Sequence, residues 1–252
     1  MKGLSFTRRI NYALEAAADA FLTCIGFAQI QAYSSPAPLS EEQIVDRMQM
    51  HDRAQMEMLG SYQALRHYAI TYRSTFKTLT ARMDVEVRYD ASSGKILRIV
   101  SESGSHTLRE RVLQRAVDSE KEASLNRGAT ALTNANYKFH LFGRETVTGR
   151  PAYILDVEPI TPSKSLCRGR IWVDGIDFAV AGMEVQPGKN LSFWISSTVI
   201  HHINADIGGF WLPQQHWSET KVCIGGTAVM TIDYGTYQIV PQQMRPMVSE
   251  LR

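Results

Sequence analysis

The sequence lacks the short motifs of the common catalytic chemistries. It has no G-x-S-x-G, no H-E-x-x-H, no Walker loop and no C-x-x-C. That removes the nucleophile elbow, the zincin zinc site, the phosphate cradle and the thiol redox pair. It also lacks a charge of one sign: 27 Lys and Arg stand against 25 Asp and Glu, for a net charge of +2. Without a basic block, the concentrated footprint that nucleic acid requires is missing. Long apolar runs are absent as well. The cleanest, 20–28, is too short to span a bilayer. Cysteine is scarce, with three in 252 residues. No repeat recurs at a solenoid period, and strands do not alternate with helices as in βαβ units. Disorder is not supported either, since 44% hydrophobic and 21% charged residues are ordinary for a globular chain.

The first residues have a processing pattern. Lys2, Arg8 and Arg9 precede an apolar stretch, and Ala28-Gln29-Ile30-Gln31-Ala32 resembles a small-residue cleavage site. Residues 1–32 therefore read as an atypical signal peptide, interrupted by Glu15 and Asp19, and imply export. The other reading is an amphipathic N-terminal helix on a cytoplasmic protein. Leu22-Thr23 before Cys24 makes a poor lipobox. Residues 33–40, YSSPAPLS, are a Ser/Pro linker. Removing the leader leaves Cys167 and Cys223, either one pair in an exported chain or two small hydrophobes.

What is present is a β pattern. Ser40 with Gln43 makes a capping box for a methionine-rich helix over 41–59, with Gly60 as its stop. From Leu65 the period becomes two. Leu79, Ala81, Met83, Val85, Val87 and Tyr89 alternate with polar neighbours, as a strand with one buried face does. A second amphipathic helix is expected over 107–124. Further strands follow over 137–147 and 152–159. A hairpin is centred on Asp174-Gly175, whose residues tolerate positive φ, with its second strand starting at Phe178. Strands over 193–203, 210–222 and 228–234 complete about ten, and the chain after Val240 reads as a mobile tail. A twisted antiparallel sheet of that size must curl, and its concave face must be filled.

Candidate chemistry is thin. His201 and His202 are adjacent on a strand and point to opposite faces, so they cannot readily share a metal, although His216 could join one across a hairpin. A hydrolase would rest on these three histidines alone. Asp84/Glu86 and Asp156/Glu158 are i, i+2 carboxylates on wet strand faces. Arg168, Arg170, Trp172 and Asp174 share a face and suit a cross-strand ion pair or stacking, with contact to an anionic headgroup as the other reading. No catalytic residue, metal ligand or cofactor is assigned.

R-G-R-I-W-V-D at Arg168 to Asp174, D-F-A-V at Asp177 to Val180, P-G-K-N-L-S-F-W-I at Pro187 to Ile195, G-F-W-L-P at Gly209 to Pro213 and S-E-S-G at Ser101 to Gly104 resemble the LolA-like periplasmic proteins, in particular the outer-membrane lipoprotein-sorting-like sequences. The resemblance spans roughly 39–240. It implies one mostly β (α+β) domain over 41–240, a curled antiparallel half-barrel with helices against its concave face, of the LolA/LolB/RseB type. It also implies a non-catalytic, monomeric carrier of lipoprotein acyl chains or other lipid. The alternative is an envelope-stress sensor that uses the same cavity and a membrane-bound partner, as RseB relatives do. The expected cavity lining is Met48, Met56, Met58, Met83, Val85, Trp172, Met183, Val185, Met230 and Ile232. The first helix is expected to rest on it as a lid with weakly tied ends, with Met48, Met56 and Met58 facing in.

Overall fold

The computed structural model describes residues 38–189, 192–193, 195–223 and 225–242, and one compact unit begins at Leu39. The expected leader, residues 33–37 of the linker, Trp194 and residues 243–252 lie outside the described residues.

Helix α1 (Glu41–Met58) starts at the expected box: Gln43 N–H donates to Ser40 Oγ at 3.2 Å and Ser40 N–H to Gln43 Oε1 at 3.0 Å. Two orphan donors are satisfied reciprocally, and Glu41 and Glu42 in the first turn suit the helix dipole. The helix end departs from expectation. Gly60 is not a stop. The chain passes from Met58 straight into β1 (Leu59–Arg73), six residues before the expected strand start. Gly60 instead permits a close approach, since a Cβ there would lie 2.7 Å from the Val240 carbonyl oxygen.

β2 (Thr78–Asp90) and β3 (Gly94–Gly104) follow. One helical run over 106–125 comes next: α2 (His106–Leu108), a π-helical turn (Arg109–Leu113) and α3 (Gln114–Leu125), then a short α4 (Arg127–Thr130). Its Leu108, Leu113 and Val117 are buried, the stripe its period called for. The rest is sheet: β4 (Tyr137–Val147), β5 (Arg150–Pro159), β6 (Cys167–Asp174), β7 (Val180–Pro187), β8 (Ile195–Ile207), β9 (Phe210–Val222), β10 (Thr227–Tyr234) and β11 (Gln238–Pro241). The expected mobile tail is in place as far as Gln242, whose N–H donates to Met58 O at 2.8 Å.

The central hairpin is not a two-residue turn. Five residues, 175–179, separate β6 from β7, and the positive φ falls on Phe178 rather than Gly175. Asp174, 2% exposed, holds this loop. Its Oδ1 accepts from the N–H groups of Ile176 and Asp177 at 2.9 and 2.8 Å, and Arg150 pairs with it at 2.6 Å. The Phe178 ring stacks on Tyr153 with the Arg47 guanidinium over it, which holds the left-handed residue in position.

All pairings are antiparallel, in the order β3-β2-β1-β10-β9-β8-β7-β6-β5-β4, with β11 on the first part of β1. β3 and β4 do not pair with each other, so the sheet is an open half-barrel of eleven strands. Register carries a single row of residues across ten of them: Glu102, Met83, Tyr68, Ile232, His216, His202, Met183, Ile171, Leu155 and Leu141. Members of one row share one face, here called the inner face. Two hydrophobic clusters cover it. The run 106–125 packs on β1–β3 through Leu108, Leu113 and Val117. α1 packs on β4–β6 through Ile44, Val45 and Met48.

Candidate functional site

The inner face is where most of the expected lining residues meet. Met83, Ile232 and Met183 lie on the row just traced. Val185 and Met230 lie on the next row, joined through Ile200 and Ser218. Val85 stands opposite Arg66. Met83, Val85, Met56, Met230 and Ile232 belong to the cluster under α3, and Met48 and Met183 to the cluster under α1.

Two residues are placed elsewhere. Met58 is 49% exposed. It follows Met56 by two positions, about 200° around a helix, and Met56 already takes the inward side. Trp172 falls on the outer face, between the inward Ile171 and Val173, and its indole N–H donates to Glu145. The ends of α1 are not loose either. The Leu141 N–H donates to Glu41 Oε2 at 2.6 Å, and at the other end the helix is continuous with β1.

A charged cluster interrupts the apolar surface, and the sequence reading passed over it. Arg66 on β1 is 1% exposed and its Nη1 sits 2.5 Å from Glu120 Oε2 on α3. Lys95 on β3 reaches the other Glu120 oxygen at 3.0 Å, and the Tyr68 hydroxyl donates to Oε2 at 3.4 Å. The Arg66 guanidinium lies 4.6 Å from the Tyr234 ring centroid. Burial opposes the charge on Arg66, but Glu120 and neighbouring groups outweigh it and raise its pKa. Burial also opposes the Glu120 carboxylate, yet Arg66 and Lys95 bring its pKa down to about 2. Burial pushes the Tyr68 hydroxyl up to about 12. The signal was available in part. Arg66 falls in step with Ala64, Tyr68 and Ile70, and Glu120 with Leu113 and Val117 at helical spacing.

The histidines divide as adjacent strand residues should. His202 faces in, with its ring 5.9 Å from His216 across the β8–β9 pair and 6.1 Å from Tyr234. His201 faces Glu184 on the outside at 3.6 Å and lies against Trp217. Burial first, then electrostatic coupling to His202, takes His216 down to about 4, and burial lowers His202. Both are held neutral, on the row between the two clusters. Among the described residues no group of three or more His, Cys, Asp or Glu is placed to hold a metal ion. Three of the four carboxylates singled out earlier are engaged: Glu86 with Arg88 and Arg98, Asp84 with His67 and Ser101, Asp156 with Arg170. Cys167 and Cys223 are free thiols rather than a pair, and Cys167 lies beside the Tyr137 hydroxyl at 3.7 Å. No helix among the described residues is long and apolar enough to cross a membrane.

No family model matches the sequence, and no curated protein does. Solved structures do show similarity. The chain is similar to LolA-like proteins. A DUF1329 family protein from Desulfovibrio piger is 13% identical, with 79% of this chain and 92% of that one covered and a TM-score of 0.43. A putative outer membrane lipoprotein-sorting protein domain from Vibrio parahaemolyticus is 10% identical, with 80% and 94% covered and a TM-score of 0.40. A LolA superfamily protein from Nitrosomonas europaea is 12% identical, with 82% and 96% covered and a TM-score of 0.34.

Proposed function

We propose that this chain is a non-catalytic periplasmic binder and carrier of apolar chains, of the kind that lipoprotein acyl groups present, and that α1 is the element that uncovers their site. One observation supports this above the others. All three buried residues of α1, Ile44, Val45 and Met48, lie in its first eight positions, while its last ten contribute none. The helix is attached to β1 at its far end without a turn. Lifting the first half about the Met58–Leu59 junction exposes Leu155, Ile171, Val173 and Met183, and leaves the sheet ladder intact. Each buried apolar side chain holds the helix by roughly 2 kcal/mol, and an acyl chain laid in its place restores much of that. The thioethers of Met48, Met56, Met83, Met183 and Met230 repack at little cost around chains of different shape.

Native mass spectrometry of the protein purified from its own cell envelope tests the reading, with lipid or lipoprotein in the spectrum as the expected result. A ligand-free protein that also leaves an apolar fluorescent probe in water would overturn it. A second reading, a module that engages a protein partner, draws on the unpaired β3 edge, where Ile96 and Val100 are exposed. Such an edge can accept another strand. Recovery of a membrane-bound partner without lipid transfer to an acceptor favours that reading.

A further inference from the structure

Strands that pair antiparallel with their chain neighbours send alternate connections to opposite ends of the sheet. Register places four connections at one end: Arg73 stands opposite Thr78 and Thr227, Ile195 opposite Val222, and Cys167 opposite Pro187. These connections, 73–78, 159–168, 187–195 and 221–227, contain six basic residues and no Asp or Glu. The six are Arg73, Lys77, Lys164, Arg168, Lys189 and Lys221, and all are exposed. Among the described residues none of them is in an ion pair, whereas Arg88, Arg98 and Arg170 on the outer face of the sheet are. The connections at the other end, 90–94, 147–150, 174–180 and 206–210, carry four Asp and one Arg. A chain of net charge +2 therefore has its charge segregated end to end.

The basic end also presents large apolar side chains. Phe76 is 96% exposed and Phe193 87%, and Ile160 is half exposed. Turn chemistry favours small and polar residues at such positions. The tips form one surface rather than separate loops. The Tyr72 hydroxyl donates to Gly225 O at 2.8 Å, Cys223 Sγ lies 3.7 Å from Phe193 O, and Gly188 N–H donates to Leu166 O at 2.7 Å. Ser74 N–H donates to Lys77 O at 2.9 Å and holds the Phe76 turn. We propose that this rim docks on an anionic bilayer, with its cations at the lipid phosphates and Phe76 in the interfacial layer. Apolar tips on separate turns with cations around them match a surface that is negative and fluid throughout. A folded partner would need a pocket for each tip. The acidic end of a second copy is not the complement, because Arg150 already holds Asp174 and Asp177, and Ser92 and Ser93 hold Asp90. Docking needs no cargo, so it does not depend on the carrier reading.

The test is co-sedimentation of the full chain with vesicles of phosphatidylcholine, alone or with about 30% phosphatidylglycerol. Only the anionic vesicles should carry the protein down at low salt, and about 0.5 M salt should release it. A lysine near such a surface is worth about fivefold in affinity, so Lys77→Gln with Lys164→Gln should weaken binding about 25-fold. Phe76→Ser should weaken it about tenfold. These positions are exposed, so thermal melts should match the parent. Arg88→Gln with Arg144→Gln, the same charge change towards the other end, should leave binding unchanged. Lys2, Arg8 and Arg9 are common to every variant, so differences between variants report on the rim alone. Apolar-probe binding in solution should be equal throughout, which separates failure of docking from failure of the carrier reading. A parent that stays in the supernatant overturns the proposal, and so do rim variants that bind as the parent does. Full release by polyglutamate with no effect of Phe76→Ser would assign the rim to an acidic protein and overturn it. Parent oligomers that the double lysine variant disperses would assign it to a second copy, with the same consequence.

Discussion

Arg66 of β1 meets Glu120 of α3 at 2.5 Å within a cluster that is otherwise largely apolar. A guanidinium this deep is costly to desolvate and stays only because the carboxylate, supported by Lys95, is there. The pair fastens α3 over β1 in a way that apolar contacts alone do not specify.

Removing one partner should therefore cost more than removing both. Arg66→Met leaves the Glu120 carboxylate with Lys95 and the long Tyr68 hydrogen bond, and should destabilise the fold by about 3 kcal/mol. Adding Glu120→Leu should recover part of the loss, because the double variant buries no unpaired carboxylate and leaves only Lys95, whose flexible stem can carry its ammonium to solvent. Urea unfolding of the two single variants and the double variant measures this. Additive losses would show that the pair contributes nothing beyond its separate contacts.

The fold was more legible than this site, for reasons that lie in particular residues. The Ser40–Gln43 box and the alternation from Leu79 to Tyr89 are local patterns, decided within a few residues. Arg66 and its partner are 54 residues apart on different elements, and only the packed fold shows that they meet. Its inward position was implied by Tyr68 and Ile70 at a period of two, but an arginine in that row reads as buried only once Glu120 is seen to face it. Asp174-Gly175 marked a real reversal, yet the length of the loop depends on Asp174 binding Arg150 and two backbone amides, which turn propensity does not contain.

Acid should weaken the fold through His216. Its folded pKa is down at about 4, against an ordinary value near 6.5. Between those values the unfolded chain binds a proton that the native protein does not, so stability falls as pH falls from 6.5 towards 4. The loss is on the order of 3 kcal/mol for a shift of this size, with His202, also lowered, adding in the same direction. Glu120, with its folded pKa near 2, extends the loss below pH 4.5. His216→Gln should flatten the upper part of the profile. Denaturation midpoints taken at half-unit steps of pH check it, and an unchanged slope would mean that His216 titrates normally.

The methionines of α1 should separate by position. Met48, 3% exposed, packs under the helix, so Met48→Ala should cost 2–4 kcal/mol, roughly the range for an emptied core site. Met58→Glu should leave stability and apolar-probe binding within about 0.5 kcal/mol of the parent, as surface changes do. Thermal melts and probe titration on both variants decide the matter. A Met58→Glu variant that loses probe binding would place that side chain on the cavity after all.

Opening of α1 should be governed by Gln55. Its carboxamide makes both polar bonds to Trp211, and along the second half of the helix, where no residue is fully buried, this is a bond to the sheet on both amide atoms. Gln55→Leu keeps the volume and removes both hydrogen bonds, leaving a Trp211 N–H and carbonyl without their partner. At about 1 kcal/mol per bond, the covered state should lose roughly a factor of 10–30 against the uncovered one. The ends of α1 stay tied by Glu41 and by β1, so the global unfolding midpoint should move less than the local opening does. Amide hydrogen exchange reads that difference directly. Exchange in α1 should quicken by about an order of magnitude while β5 and β6 keep their protection, and an apolar probe should enter faster with little change in its final affinity. Uniformly faster exchange across the sheet would show that Gln55 supports the whole fold. Unchanged exchange in α1 would mean that the helix is fixed structure and that the inner face is uncovered, if at all, from the side of α3.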